Sequence, residues 1–138
     1  MNIQSNTNYN TNSLNIALLT IRVGAATLML THGIPKLLML FSGDIQFPGV
    51  LGLSPFFSLV LAVFSEVLCS VLVFIGLKTR LATIPLIITM LVAVILIHHG
   101  DPFARKELGL LYLLLYVPLL MLGGGKFSLD ALLQNNRN

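Results

Sequence analysis

The sequence has few charged residues and a single cysteine. Asp, Glu, Lys and Arg make up 9% of the 138 residues, and 56% of the chain is hydrophobic. An ordinary soluble domain has about 25% charged residues, so this composition excludes a water-soluble globular domain. Because Cys69 is the only cysteine, an internal disulfide, a CxxC redox pair and a cysteine-based zinc site are also excluded.

The chain also lacks a cluster of basic residues. Eight Lys and Arg against five Asp and Glu give a net charge of +3, but the basic side chains stand apart along the sequence. Nucleic-acid binding needs Lys and Arg gathered on one face, so nucleic acid is excluded as a partner. The N-terminal tail has no basic residue and Arg22 interrupts the apolar stretch after it, a pattern unlike that of a cleavable signal peptide.

Long apolar stretches are the main feature of the sequence. A membrane-spanning helix needs about 20 mainly apolar residues, and four stretches suit that role: Leu14 to Phe41, Pro55 to Leu77, Leu81 to Ile97 and Leu108 to Leu122. We therefore expect an all-α integral membrane four-helix bundle with short loops, and the lipid bilayer as its partner. The expected divisions are a disordered polar tail at 1–13, the transmembrane domain at 14–125 and a short C-terminal tail at 126–138.

The ends of the predicted helices are marked by typical residues. Ser54 precedes Pro55, an arrangement that favours a capped helix start. The very short connection from Gly76 to Arg80 predicts a tight hairpin between the second and third helices. Ser128 is expected to cap a short C-terminal helix.

The orientation in the membrane follows from the basic residues. Four spans place both termini on the side of the second connection, which has Lys78, Arg80, Lys126 and Arg137. The side with more Lys and Arg near the membrane normally faces the cytoplasm. We therefore expect both termini in the cytoplasm.

Two charged residues, Arg22 and Glu66, fall inside the first two predicted spans. An ionised side chain at the bilayer centre costs about 2.5–3.5 kcal/mol, so neither is expected to face lipid. At about 1.5 Å per residue the two lie about 12 and 16 Å from the shared side, which predicts an Arg22–Glu66 pair. The pair either locks two helices together or handles a substrate or proton, and both alternatives remain open.

A second group of polar residues is predicted near the opposite end of the bundle. His32 and Lys36 share one helix face, His98 ends the third span and Glu107 begins the fourth. Together with the buried charged pair they form the predicted polar ligand site, in a pocket that opens to the outer face. The alternative is that these helix ends are simply solvated. Haem or metal ligation by His32 and His98 is disfavoured, because no second pair or metal-binding motif accompanies them.

Close helix packing is expected along the first span. Ala25, Ala26, Met29 and Gly33 lie on the same stripe as Arg22 and Lys36, and small side chains let a second helix approach.

The order of these features resembles that of the DoxX family. The matching features run from Ile16 to Leu133 and are Arg22, His32-Gly33-x-x-Lys36, Glu66, Gly76-x-Lys78-x-Arg80, His98, Glu107 and a glycine cluster before Ser128-Leu129-Asp130. The glycine cluster departs from the family pattern, in which a proline separates two glycines. The resemblance covers nearly the whole chain.

The resemblance implies a small four-helix protein of the bacterial inner membrane. Relatives include a subunit of a thiosulfate:quinone oxidoreductase and proteins linked to membrane oxidoreductase complexes. The implied function is an accessory membrane subunit with a soluble or membrane redox partner. Because the sequence has no dinucleotide-binding fingerprint, no catalytic residue is assigned, and a redox role depends on a partner or on a quinone held by Arg22, Glu66, His32 and Lys36.

Two other functions fit the same residues. A small transporter would use the polar group to bind an anion or relay protons. A membrane anchor or assembly factor would need no chemistry of its own. The sequence also leaves a homo-oligomer open.

Overall fold

The structure, a computed structural model, describes residues 10–135, and within them every regular element is a helix. Five helices follow one another along the chain: α1 (Thr11–Ser42), α2 (Pro55–Ile75), α3 (Thr79–Ile97), α4 (Phe103–Leu122) and α5 (Leu129–Asn135). The all-α prediction is confirmed for these residues.

The first helix begins earlier than the sequence predicts. The Asn10 side chain accepts a hydrogen bond from the Asn12 backbone N–H, so it caps α1, which starts at Thr11. The predicted disordered tail is thus wrong for residues 11–13, because a local cap extends the helix beyond the apolar stretch. The rest of that predicted tail, residues 1–9, lies outside the described residues, as do residues 136–138.

Three of the helices, α1, α2 and α3, are long and apolar enough to cross a membrane. Their outer surfaces expose large apolar side chains such as Leu38, Leu61 and Ile88, as expected for helices that contact lipid. Helix α4 has 20 residues and also exposes apolar side chains, but Arg105, Lys106 and Glu107 lie near its start. Because three of its helices can span a membrane, the chain is an integral membrane protein.

The caps predicted at Ser54 and Ser128 and the hairpin predicted at Gly76 agree with the structure. The Ser54 side chain accepts a hydrogen bond from the Phe57 N–H, with Pro55 at the first helical position. Gly76 ends α2 in the left-handed conformation with φ +75°, and α3 begins three residues later at Thr79, so the α2–α3 connection is the predicted tight hairpin. Ser128 accepts from the Ala131 N–H at the start of α5.

The core lies on the predicted stripe of α1. Ala25, Ala26 and Met29 are buried there, against a core that includes Leu86 of α3 and Tyr116 of α4. Gly33 continues this stripe toward the end of the bundle where the polar residues gather. The small residues of α1 thus allow the neighbouring helices to pack closely.

Candidate functional site

A partly buried ion pair between Lys36 and Glu66 lies at the centre of the candidate site. Nζ of Lys36 donates to both carboxylate oxygens of Glu66, at 2.5 Å each. The Glu66 side chain is 3% exposed and that of Lys36 is 27% exposed. The carboxylate therefore depends on the lysine for its stabilisation, whereas the lysine retains contact with the surroundings.

Close packing of α1 against α2 places this pair. A Cβ atom added at Gly33 would lie 2.8 Å from Cγ2 of Val67 and 2.9 Å from the Glu66 carbonyl, so no larger residue fits there without a shift. Glu66 lies within a π-helical stretch, Phe64–Cys69, in the middle of α2. Such stretches change which face a side chain occupies and occur often at functional sites. Together these features bring the carboxylate to Lys36, one turn beyond Gly33.

The predicted Arg22–Glu66 pair is wrong. Arg22 is buried near the other end of α1, where Nη1 donates to the Gly124 carbonyl at 2.9 Å and Nη2 to the Phe127 carbonyl at 2.8 Å. Because Gly33 is level with Glu66, eleven residues of helix, or about 16 Å, separate Arg22 from the carboxylate. Counting depth from helix ends missed this because it assumed that the helices start level.

Two cavities meet at the ion pair. One, of about 130 Å³, includes His32, Arg105 and Tyr112 in its lining, and the other, of about 330 Å³, is lined mainly by apolar side chains. Lys36, Glu66 and His98 line both cavities, whereas Arg22 and Glu107 line neither. The structure thus brings together four of the six predicted site residues; it places Glu107 at an exposed position on α4 and Arg22 in a separate cluster.

The loop between α1 and α2 forms one wall of the apolar cavity. Phe47, Val50 and Leu53 of this loop line the cavity, opposite Ala62 of α2. The Ser58 hydroxyl accepts a hydrogen bond from the Val50 N–H at 3.1 Å, which holds the loop against α2. This loop lies outside the predicted site, although the apolar residues between Gly43 and Ser54 are a signal that the sequence offers.

Tyr112 of α4 also belongs to the site but not to the set of residues predicted for it. Its ring stacks on Tyr116 with centroids 5.8 Å apart, and its edge meets the His32 ring at 6.1 Å. The spacing of four residues between the two tyrosines puts them on one helix face, a signal that the sequence offered. The aromatic contact holds the imidazole of His32 beside the polar cavity.

The α3–α4 connection carries a second charged cluster. Nδ1 of His98 lies 2.7 Å from Oδ2 of Asp101, and Nη1 of Arg105 lies 3.5 Å from the same oxygen. The hydrogen bond with His98 is the main reason that the pKa of Asp101 lies below its ordinary value. Desolvation opposes this shift, and the positive charge of Arg105 adds to it. Asp101 is therefore an anion near neutral pH and orients the imidazole that lines both cavities.

The donor set suits polar organic ligands better than metals. Within residues 10–135 no group of three or more His, Cys, Asp or Glu side chains is close enough to hold a metal ion. An ammonium, a guanidinium, a carboxylate and two imidazoles border the cavities. The cationic groups and imidazoles can donate hydrogen bonds to a ligand oxygen, and the imidazoles and the carboxylate can exchange protons with it.

Comparisons with known proteins agree with this fold and sequence pattern. The DoxX family model matches residues 17–99. The chain is 34% identical, over 119 residues that cover 86% of this chain and 87% of the relative, to a Bacillus subtilis (strain 168) protein named "Putative oxidoreductase CatD". No solved structure matches the chain. The chain therefore belongs to the DoxX family, as its motifs predict.

Proposed function

We propose that this DoxX family protein is the membrane subunit of a quinone-linked oxidoreductase complex and that the apolar cavity beside Lys36 and Glu66 receives the quinone head group. The observation that carries the proposal is a partly buried ion pair in the wall of an otherwise mainly apolar cavity of about 330 Å³. Small-molecule sites have this character, with apolar walls and a few polar groups that orient the ligand. The name of the Bacillus relative, an oxidoreductase, points to the same class of chemistry.

The residues of the cavity fit a flat ring with two polar oxygens. Phe47, Val92 and Ala62 offer apolar contacts to the ring, and Nζ of Lys36 can donate a hydrogen bond to a carbonyl oxygen. A bound quinone would supply the capacity to accept two electrons and two protons. Glu66 and His98 line the same cavity and can hold and pass protons there, while Asp101 keeps the imidazole in place.

The electrons in this proposal come from a partner subunit. The sequence has no dinucleotide-binding fingerprint, so a soluble or membrane partner would bring the reductant. We further propose that α4 is the fourth span, because its 20 residues end in an apolar run. With four spans in a bacterial inner membrane, both termini would face the cytoplasm and the cavities would lie toward the outer face.

Transport is less favoured by the packing. Both cavities at the ion pair lie toward one end of the bundle, and buried Ala25, Ala26, Leu86 and Tyr116 separate them from the Arg22 end. A permeation pathway needs polar or hydrated positions along its length. The four residues named above are closely packed between the two ends of the bundle, so we favour a ligand site over a pathway.

Binding of a short-chain quinone to the purified protein tests the proposal. Lys36→Met removes a charge-assisted hydrogen bond of about 1.5–3 kcal/mol and should weaken affinity per folded molecule by about 10- to 150-fold. Ala62→Leu fills the cavity but keeps the ion pair, so it should also weaken binding. Lys106→Met is the matched control, because Lys106 lies on α4 outside both cavities.

Two results would contradict the proposal. Quinone affinity that is unchanged in both Lys36→Met and Ala62→Leu would remove the cavity as the site. An equal loss of quinone affinity in Lys106→Met would show that the overall charge of the protein, and not the cavity, causes the effect. Purification in mild detergent, followed by mass spectrometry of bound quinones and proteins, tests the partner subunit separately.

A further inference from the structure

A third cavity lies at the opposite end of the molecule, where α2 passes into α3. It has a volume of about 540 Å³ and lies between the α2–α3 hairpin and the glycine-rich segment after α4. Since α2 and α3 can both span the membrane, their short connection must lie where the two helices leave the bilayer. The cavity is therefore at the membrane surface.

Asp130 closes one side of this cavity. Its carboxylate accepts hydrogen bonds from the backbone N–H groups of Lys78 and Thr79, at 2.7 and 3.0 Å, and from the Thr79 hydroxyl at 3.2 Å. The Asp130 N–H in turn donates to the Gly76 carbonyl at 2.9 Å. The N-terminus of α3 is thus already capped by this chain's own carboxylate, and a ligand in the cavity would have to bind elsewhere.

Three cationic side chains line the cavity: Lys78, Arg80 and Lys126. All three are exposed, and in the part of the chain that the structure describes none of their side-chain nitrogens donates a hydrogen bond or joins an ion pair. Asp130 is the acidic residue in the lining, and its oxygens are engaged with the backbone. The cavity therefore carries a local excess of positive charge that attracts anions.

Apolar side chains adjoin these cations. Leu81 of α3 and Leu122 of α4 line the same cavity and are exposed, and each begins the apolar outer surface of its helix. A free inorganic anion would contact the cationic side chains but would make no apolar contact with the leucines. A molecule with a phosphate group joined to hydrocarbon chains would satisfy both, with its chains lying along the helices.

We propose that the cavity formed by Lys78, Arg80 and Lys126 binds the phosphate group of an anionic phospholipid. The headgroup sits between the hairpin and the glycine-rich segment, and the acyl chains pass Leu81 and Leu122. Because Arg22 and Asp130 hold the same segment and hairpin together, a bound lipid would reinforce the closed end of the bundle. This site is distinct from the proposed quinone cavity.

Native mass spectrometry of the protein in micelles with equal amounts of phosphatidylglycerol and phosphatidylcholine tests the proposal. We expect the wild type to retain phosphatidylglycerol selectively. Each of Arg80→Gln and Lys126→Gln should lower this selectivity about fivefold, the factor for about 1 kcal/mol per cation near an anionic lipid. The matched control is Lys106→Gln, which removes one positive charge at the other end of the molecule and should leave selectivity unchanged.

The arms of the experiment separate the alternatives. Equal losses in Lys106→Gln and Lys126→Gln, or full selectivity in the triple Gln variant of Lys78, Arg80 and Lys126, would overturn the proposal. Inorganic phosphate added in millimolar excess is the second arm. If it displaces phosphatidylglycerol from the wild type and its own binding shows the same dependence on the variants, the site is one for free phosphate. Retention of lipid in its presence supports the phospholipid assignment.

Discussion

Replacing Lys36 by Met tests the energetics of the ion pair in the candidate site. The substitution keeps a side chain of similar length but removes the ammonium group that donates to both oxygens of Glu66. Glu66 is 3% exposed, so water can replace the lost partner only in part, through the cavities that Glu66 lines. Breaking a buried pair costs about 3–5 kcal/mol, and we expect a loss of about 3 kcal/mol because Lys36 is 27% exposed and the site is partly open.

The reverse substitution should cost less. In Glu66→Gln the ammonium of Lys36 loses its anion but keeps its route to water, and the amide oxygen of glutamine still accepts a hydrogen bond. The expected loss is about 1–2 kcal/mol. In the double variant neither charge is left alone, so the total loss should be smaller than the sum of the single losses by at least about 1 kcal/mol.

Unfolding by titration with SDS in mixed micelles, followed by far-UV circular dichroism, measures these free energies. The control is a second cycle that combines Arg22→Met with Glu66→Gln, whose effects should add within about 0.5 kcal/mol because the two residues have different partners. Additive losses for Lys36→Met and Glu66→Gln would refute the ion pair. Strong coupling between Arg22→Met and Glu66→Gln would instead support the Arg22–Glu66 pair that the sequence predicts.

Three further perturbations test the packing around the site. Arg22→Met removes two hydrogen bonds to the segment after α4, so it should lower the free energy of unfolding by about 3 kcal/mol. It should also speed tryptic cleavage after Lys126, and unchanged cleavage would contradict the contact. Gly33→Ala should destabilise the protein by about 1–3 kcal/mol, because the added methyl group overpacks the contact between α1 and α2. Gly24→Ala should be neutral or stabilising, because an added Cβ there meets nothing within 4 Å. Equal effects of the two variants in SDS titrations would refute the close approach at Gly33. Because hydrogen bonding lowers the pKa of Asp101, its charged form contributes stability above its ordinary pKa, and this contribution is lost as pH falls through the lowered value. Thermal melts should therefore show Asp101→Asn as less stable than wild type near neutral pH and equal to it in strong acid; a constant difference across pH would argue against the pair.

Most of the site residues were visible in the sequence because each was polar where lipid contact is expected. His32, Lys36, Glu66 and His98 meet that criterion, and all four line the smaller cavity. Helical spacing also placed His32 and Lys36 on one face correctly. Glu107 meets the same criterion but lies exposed outside both cavities, since a residue near a helix end can reach solvent without entering a pocket.

The partners of the buried charges could not be predicted in the same way. Spacing along one helix says which residues share a face but not how far a neighbouring helix is shifted along its axis. Here the contact of Gly33 with the Glu66 backbone sets that shift, and the π-helical stretch turns the carboxylate toward Lys36. The fold of the segment after α4, which satisfies Arg22, depends equally on contacts distant in sequence.

The sequence alone determined that the chain is helical and enters a membrane, because hydropathy and helix caps act over a few neighbouring residues and the bilayer sets the length of a span. The tertiary structure decided that Glu66 pairs with Lys36, that Arg22 binds the C-terminal segment and that the loop before α2 encloses an apolar cavity. These features depend on how packed helices are aligned with one another. That alignment follows from close contacts, such as the one at Gly33, between residues far apart in the chain.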